Sequence, residues 1–236
     1  MWLLIGQYVY WASTMPAWDK IEALAGYFEQ ALANSADTIT HASEDYDWHN
    51  TLYSGARYRR AHIEIVDKRE SHGVYILHTT VFPHLNDPSP IFGFDAVCGK
   101  NKITGAFHDF SNGGDPTSFM WLWFNAQVNG LEWNKPRDLP EWARMIFSPA
   151  MIAAGNLQEE AEIDQLCEIA KTTLDFYLSK VGHDQQDVAD FHMAQNRYCH
   201  WQKQNPHVIR SMVSMGVPED VMKRFVSEVL FPEVVS

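Results

Sequence analysis

The sequence predicts an α/β protein in which an antiparallel sheet, built from the first half of the chain, is covered by helices from both ends. Three observations carry this. Between residues 57 and 110 apolar side chains recur with a period of two, whereas residues 16–34 and 157–178 repeat with the period of a helix. The connections within 57–110 are short, as in hairpins rather than crossovers. With 46% hydrophobic and 13% aromatic residues among 236, the chain can close a substantial core.

The elements follow in order. Residues 16–34, PAWDKIEALAGYFEQALAN, place Trp18, Ile21, Leu24, Phe28 and Leu32 on one helical face, with Pro16 suited to a first turn. Residues 35–56 are polar and turn-rich, and SEDYDWHN reads as a loop. Four strands come next: RYRRAHIEIVD (57–67), GVYILHTTVFP (73–83), FGFDAVCG (92–99) and KITGAFHDF (102–110). Their spacing fits a meander. Residues 138–155 read as one helix or two short ones. Asn156, with Glu159 three residues on, offers a capping box before the amphipathic run Leu157, Ile163, Leu166, Ile169, Leu174, Tyr177 and Leu178. Residues 184–203 and 218–230 also read as helices, the second opened by Pro218, Glu219 and Asp220. The expectation is a single domain over 1–236, with 1–15 as an N-terminal extension.

Composition narrows the function. A net charge of -12 argues against a general nucleic-acid binder, whose affinity rests on cations meeting phosphates. No apolar run reaches 18 residues, and the opening MWLLIGQYVYWAS lacks a preceding basic residue, so neither a membrane span nor a secretory signal is expected. Cys98, Cys167 and Cys199 are odd in number and show no CxxC spacing. These features point to a cytoplasmic protein. There is no HExxH, no GxSxG elbow, no P-loop and no GxGxxG after a strand, so no metal, nucleotide or flavin site is expected. Nine Trp, nine Tyr and thirteen Phe fit either a heavy core or a pocket for a large flat ligand.

Candidate chemistry lies in the strands. Asp95 stands among Phe92, Phe94 and Val97, where a carboxylate is costly unless paired, solvated or neutralised. A hairpin centred near Glu70 puts Glu64 and His78 on one face, since they are an even number of residues apart. The irregular loop PHLNDPSP leaves the face of Asp95 open. If the three share a face, two carboxyls and an imidazole meet among aromatics, an arrangement that spreads pKa values and suits proton transfer. The bland alternatives are a satisfied core histidine, a surface ion-pair glutamate and a buried structural aspartate.

The motifs RRAHIEI, ILHTTVFP, IFGFDAVCG, ITGAFHDFS, RDLPEWARMIFS and VSEVLFPE, in this order and spacing, resemble the ferredoxin-dependent bilin reductases. The similarity is strongest to the phycocyanobilin-forming branch and its viral phycoerythrobilin-forming relatives. The resemblance implies a three-layer α/β/α sandwich with a central antiparallel sheet flanked by helices. It implies a monomer that reduces biliverdin IXα with electrons taken singly from a [2Fe-2S] ferredoxin, without bound metal or flavin, in the cytoplasm of a photosynthetic microbe or a virus-infected host cell. By the same resemblance Asp95 is the proton-donating aspartate, His78 the relay histidine, Glu64 the glutamate acting at the D-ring vinyl group, and Asn205 a further catalytic position. Phe94 is expected beside the substrate. Two propionate anchors of the family are changed: FIRPSN becomes MIAAGN, and Asn-Asp-Lys-Thr becomes Asn205, Pro206, His207 and Val208. Arg210 is the preferred substitute, with Lys203, Lys100, Lys102 and His207 as further candidates. Arg57, Arg59, Arg60 and Lys102 are expected to dock ferredoxin. The implied product is phycoerythrobilin by way of 15,16-dihydrobiliverdin. Phycocyanobilin, a stop at 15,16-dihydrobiliverdin, and a bilin carrier without turnover are the alternatives.

Overall fold

The computed structural model describes residues 15–41 and 46–235. The expected N-terminal extension lies almost wholly outside the described residues. Seven antiparallel strands form one sheet in sequence order: β1 (Thr38–His41), β2 (His49–Ser54), β3 (Tyr58–Lys68), β4 (Val74–Pro83), β5 (Ile91–Gly99), β6 (Lys102–Ser111) and β7 (Ile152–Ala154). The helices are α1 (Ala17–Ser35), the single turn α2 (Arg69–His72), α3 (Phe119–Val128), α4 (Glu160–Lys180), α5 (His192–Gln202), α6 (Pro206–Ser214) and α7 (Glu219–Phe225). A π-helical turn, Val226–Leu230, continues α7.

Strand alternation divides the apolar residues between two cores. Ile63, Leu77, Phe92, Phe94, Ala96 and Phe110 face one side, where α1 contributes Ile21, Leu24 and Phe28 and α4 contributes Leu166, Leu174 and Tyr177. Val66, Ile76 and Phe82 face the other side, toward Tyr198 of α5, Met212 of α6 and Phe225 of α7. The three-layer architecture expected from the sequence is the one observed.

Four expectations are corrected. Residues 35–56 hold β1 and β2 rather than loop alone. Their polar Asn50 and Thr51 are buried beside Tyr53, so a strand with polar inward residues reads as turn-rich. Residues 138–155 form no α-helix, only a 3-10 turn at Ala143–Met145 and the strand β7. Pro140 and Pro149 break the helical run there. The capping box at Asn156 is absent: α4 begins at Glu160, and Asn156 adopts φ 52°. Finally, residues 184–191 are not helical, and α5 begins at His192.

Asp87 joins the two halves of this architecture. It is fully buried, accepting from Ser89 N at 2.8 Å in the β4–β5 loop and from Gly182 N at 2.6 Å after α4. Gly182 has φ 82°, and a Cβ there would lie 2.6 Å from the Arg57 Cα. Gly182→Ala is therefore expected to destabilise the fold by about 2 kcal/mol or more, from left-handed strain and backbone overlap together. Urea unfolding followed by circular dichroism checks this.

Candidate active site

The register of three central strands builds the site. Asn50 pairs with Glu64, Glu64 with His78, His78 with Asp95, and Asp95 with Phe107. Directly opposed residues share a face at about 5 Å between Cβ atoms. Glu64, His78 and Asp95 thus form one row across β3, β4 and β5. The neighbouring row runs His62, Thr80, Gly93 and Asp109. Both rows face away from α1.

Above them lies a cavity of about 380 Å³. Glu64, His78, Asp95, Phe107 and Asp109 lie on its sheet side; Trp142, Phe147, Tyr198, Met212 and Phe231 wall it. The floor is polar and the walls are mostly apolar, as expected of a site for a large organic ligand.

Burial sets the protonation of the floor. It pushes the Asp95 carboxyl up to about 7 and Glu64 up to about 8, the latter despite the opposing hydrogen bond from Trp48. The same desolvation pushes His78 down to about 4 and His62 well below the ordinary imidazole value. Between about pH 4 and pH 7 the row therefore holds mostly neutral acids beside neutral imidazoles. Asp109 is raised to about 6 by burial, although Ser148 and Ser111 donate to it. His62 Nε2 meets Asn50 Oδ1 at 3.0 Å, while His62 Nδ1 and His78 Nδ1 are buried without a hydrogen-bond partner among the described residues.

The other expected residues divide between the cavity lining and the surface. Phe94 borders the cavity between Gly93 and Asp95, but its ring packs on Phe28 at 5.4 Å, on the opposite face of the sheet. Asn205 lines the cavity, and its Oδ1 caps α6 by accepting from His207 N at 3.0 Å. Pro206 occupies the first turn of α6, where its missing N–H costs nothing. His207 also lines the cavity. Arg210 does not: Val208, Ser211 and Met212 form the inward stripe of α6, which leaves Arg210 on the exposed side. Lys203 pairs with Glu233 at 2.8 Å. Lys100 sits exposed in the β5–β6 turn, outside the cavity. None of these three is placed to meet a ligand in the cavity.

The expected docking patch is corrected too. A register shift between Tyr58 and Arg60 sends both Arg59 and Arg60 under the C-terminal elements. Arg59 Nε donates to Gln195 Oε1 at 2.7 Å and its guanidinium covers Phe82; Arg60 donates to Val229 O. Burial lowers both, Arg60 to about 10. These are structural arginines. Arg57 is exposed but donates to Leu178 O at 2.9 Å, and Lys102 reaches Asn156 Oδ1 at 3.4 Å.

Arg137 reaches the cavity instead. Among the described residues it is the one Arg or Lys that lines the cavity. Its guanidinium lies 5.7 Å over the Phe107 ring and donates to Thr104 O at 2.6 Å. Gly155 makes room for it, since a Cβ there would lie 2.4 Å from Arg137 Nε. The sequence reading passed over Arg137, His62, Asn50 and Asp109. For His62 and Asp109 a signal exists: each stands two residues from a face-sharing position. Arg137 follows a proline in an irregular segment and offers none.

A sheet floor of protonated carboxyls and imidazole, roofed by apolar helices, defines a site for proton transfer to a large conjugated ligand. Comparison with known proteins makes this specific. The profile of the ferredoxin-dependent bilin reductases matches residues 19–232. Phycocyanobilin:ferredoxin oxidoreductase of Prochlorococcus marinus is 30% identical over 195 residues, 78% of this chain and 70% of the relative. The enzyme of the same name from Trichodesmium erythraeum is 29% identical over 181 residues, 72% and 70% of the two chains. The solved structure of PcyX is 26% identical, with a TM-score of 0.65 over 91% of this chain and 99% of that one. Phytochromobilin synthase from tomato, solved with biliverdin, shares the fold with a TM-score of 0.66 at 16% identity, over 87% and 82%. The chain belongs to the ferredoxin-dependent bilin reductases. It is an oxidoreductase acting on a linear tetrapyrrole with electrons from ferredoxin. Among the described residues no cluster of three or more His, Cys, Asp or Glu could hold a metal ion, and no helix is long and apolar enough to cross a membrane.

The raised Glu64 carboxyl makes stability depend on pH. Its folded state keeps the proton to about 8 and its ordinary value is 4.5, so its contribution is full below 4.5 and is lost as pH rises through 8. Glu64→Gln is expected to remove this slope. The variant should gain on the parent by a few kcal/mol between the two ends of that window. Urea titrations at several pH values measure the difference; parallel curves for the two chains would exclude it.

Proposed function

We propose that this chain reduces biliverdin IXα to phycoerythrobilin through 15,16-dihydrobiliverdin, in two successive two-electron steps, with a [2Fe-2S] ferredoxin as donor. The observation that carries the reading is the row Glu64, His78 and Asp95 on the cavity floor. Each one-electron reduction of a bilin raises its basicity, and a neutral acid within reach then supplies a proton. Asp95, at the β5 end of the row and protonated to about 7, is assigned to the pyrrole nitrogens and lactam. His78 stands between the two acids and relays protons in its neutral form. Glu64, at the end of the row, is the second donor.

The substrate is a dicarboxylate, and a cation at the cavity rim would hold it. Arg137 replaces Arg210 in this role. The arginine of the family's FIRPSN pattern falls at Ala153 in this chain, and Ala153 pairs with Phe107, over which the Arg137 guanidinium lies. This brings a guanidinium from another segment close to the position where the family's pattern carries its arginine. It offers the fork geometry that suits a carboxylate. Asn205 and His207, with Pro206 between them, complete the side of the cavity where this chain departs from the phycocyanobilin-forming pattern. That departure favours phycoerythrobilin over phycocyanobilin.

The test is anaerobic turnover of biliverdin IXα with reduced ferredoxin, followed by absorption and by chromatography of the extracted bilin. Phycoerythrobilin as the end product, with a dihydrobiliverdin intermediate, is the expected result. Phycocyanobilin or a halt at the intermediate would overturn the product assignment. Binding without reduction would make the chain a bilin carrier. Asp95→Asn should lower turnover by about 10²–10⁴-fold while leaving biliverdin binding nearly intact, the usual loss for a missing general acid. Arg137→Ala should raise KM roughly tenfold with kcat little changed, because its bond to substrate is the same in the ground and transition states.

A further inference from the structure

The three carboxyls on the cavity floor differ in their partners. Asp109 accepts from Ser111 Oγ, Ser148 N and Ser148 Oγ, so it fastens the loop after the 3-10 turn to β6. Asp95 has no side-chain hydrogen bond among the described residues and opens into the cavity. Glu64 has one partner: the indole Nε1–H of Trp48 donates to its Oε1 at 2.8 Å, in a buried position.

The type of that partner matters. An indole N–H only donates. The oxygen it reaches is therefore an acceptor in every protonation state of Glu64. In a neutral carboxylic acid the carbonyl oxygen is the better acceptor, so the acid proton resides on Oε2. Oε2 makes no hydrogen bond among the described residues and is not closed off, which leaves it open to the cavity.

Trp48 is itself held firmly and stands outside the cavity. Its ring centroid lies 5.1 Å from Tyr46 and 5.0 Å from Phe225, and those two are 4.7 Å from each other. Asn50 Nδ2 donates to its carbonyl at 3.1 Å, and the same Asn50 side chain meets His62. Three aromatic rings and a buried amide are thus committed to one indole N–H whose single acceptor is Glu64.

We propose that Trp48 is the positioning residue that aims the acid proton of Glu64 into the cavity and so selects the carbon protonated there. The inference rests on the reading of Glu64 as a proton donor to the bilin. In the step, one electron from reduced ferredoxin converts the bilin to its radical anion. The Oε2–H bond of Glu64 breaks, a C–H bond forms on the bilin, and Glu64 is left as a carboxylate. A second electron and a second proton complete the reduction of one double bond, and Glu64 regains its proton from solvent. The indole N–H assists after transfer as well, because its bond to Oε1 becomes charge-assisted. Without it the acid is aimed less well and is also weaker.

Two replacements remove the N–H and keep an aromatic ring: Trp48→Phe, and incorporation of benzothienylalanine at position 48, which preserves the bicyclic shape if the smaller ring disturbs folding. Both are compared with Glu64→Gln. The first readout is the infrared carbonyl band of protonated Glu64, identified by its disappearance in Glu64→Gln. The second is the distribution of extracted bilins after anaerobic turnover. With the N–H removed, the carbonyl band should rise in frequency. The share of product that depends on Glu64 should fall roughly tenfold, about the worth of one hydrogen bond to a charged group, and biliverdin affinity should stay within about threefold. An unchanged band and an unchanged product distribution would overturn the proposal. If Glu64→Gln alters the products and the position-48 replacements do not, the proposal fails while the role of Glu64 stands. If Glu64→Gln leaves the products unaltered, the donor reading fails and takes the proposal with it.

Discussion

The site depends on the register of β3 against β4 and of β4 against β5. Side chains alternate strictly along a strand, so a slip of one residue would send Glu64, His78 or Asp95 into the core beneath α1. Two features outside the cavity hold the register. Behind the row, Ile63, Leu77, Phe94 and Ala96 are buried against α1, and a slip would exchange them for charged groups. At the hairpin end, Gly73 takes φ 67° to close the α2 turn, and Arg69 there bridges Asp67 at 2.6 Å and Glu22 at 2.7 Å while covering Tyr75. Single exposed ion pairs contribute little, but this one belongs to a cluster anchored to an aromatic ring, and it ties the hairpin to α1. The chemistry is aligned by contacts that never touch the ligand.

Given that alignment, one physical effect gives the floor its character. Desolvation acts on every titratable group in the rows, and it always disfavours charge. It raises Asp95 and Glu64 and lowers His78 and His62, so acids and bases meet in neutral forms. In an ion pair between Asp95 and His78 the carboxylate would have no proton to give and would make the imidazolium a weaker acid. A neutral pair can give one and recover it. Placing the cation, Arg137, at the rim rather than in the floor keeps this balance, since a guanidinium beside Asp95 would ionise it. On the proposed reading, the guanidinium and the floor acids are kept apart because they come from different segments.

This division also explains what the sequence could reveal. The central strands are long, alternate cleanly and are joined by short turns, so parity places Glu64 and His78 together once the hairpin is centred on a whole residue. Asp95 joins them only through the β4–β5 loop, held by Asp87 in a way no pattern announces. Residues 35–56 were illegible because β2 turns Asn50 and Thr51 inward, and buried polar residues mimic a loop. Residues 138–155 mislead in the opposite sense: they hold the apolar residues Ile146, Phe147 and Ile152, yet prolines and the Asp109 clamp on Ser148 keep the segment in turns and the short β7. The stretch RYRR suggested a surface patch, and the shift in β3 pairing buried half of it. Arg210 and Lys203 fitted the chemistry expected of an anchor, but helical phase and Glu233 hold them away from the cavity.

The cavity roof carries the last constraint. It is assembled from the far end of the chain: Tyr198 of α5, Met212 of α6, Leu230 at the end of the π-helical turn and Phe231 just after it. That turn inserts one residue per turn relative to an α-helix, and such insertions concentrate at functional sites. Here it follows Phe225, packed on Trp48 and on His62 at 6.2 Å, and leads to Phe231, 5.8 Å from His78. The phase change between 225 and 231 lets one short segment close over both imidazoles. Beneath it, His62 Nδ1, His78 Nδ1 and Thr80 Oγ1 are buried without partners among the described residues. Unsatisfied groups cost about 1–3 kcal/mol each, and a fold tolerates several only if its packing elsewhere offsets them. The dense aromatic cluster of Phe92, Phe110, Phe124 and Tyr177 on the opposite face, with Phe110 stacked on Phe124 at 4.5 Å, is where this chain has packing to spare. The aromatic excess in the composition is thus concentrated on one face of the sheet, and the other face holds a polar, nearly neutral floor with several unsatisfied groups.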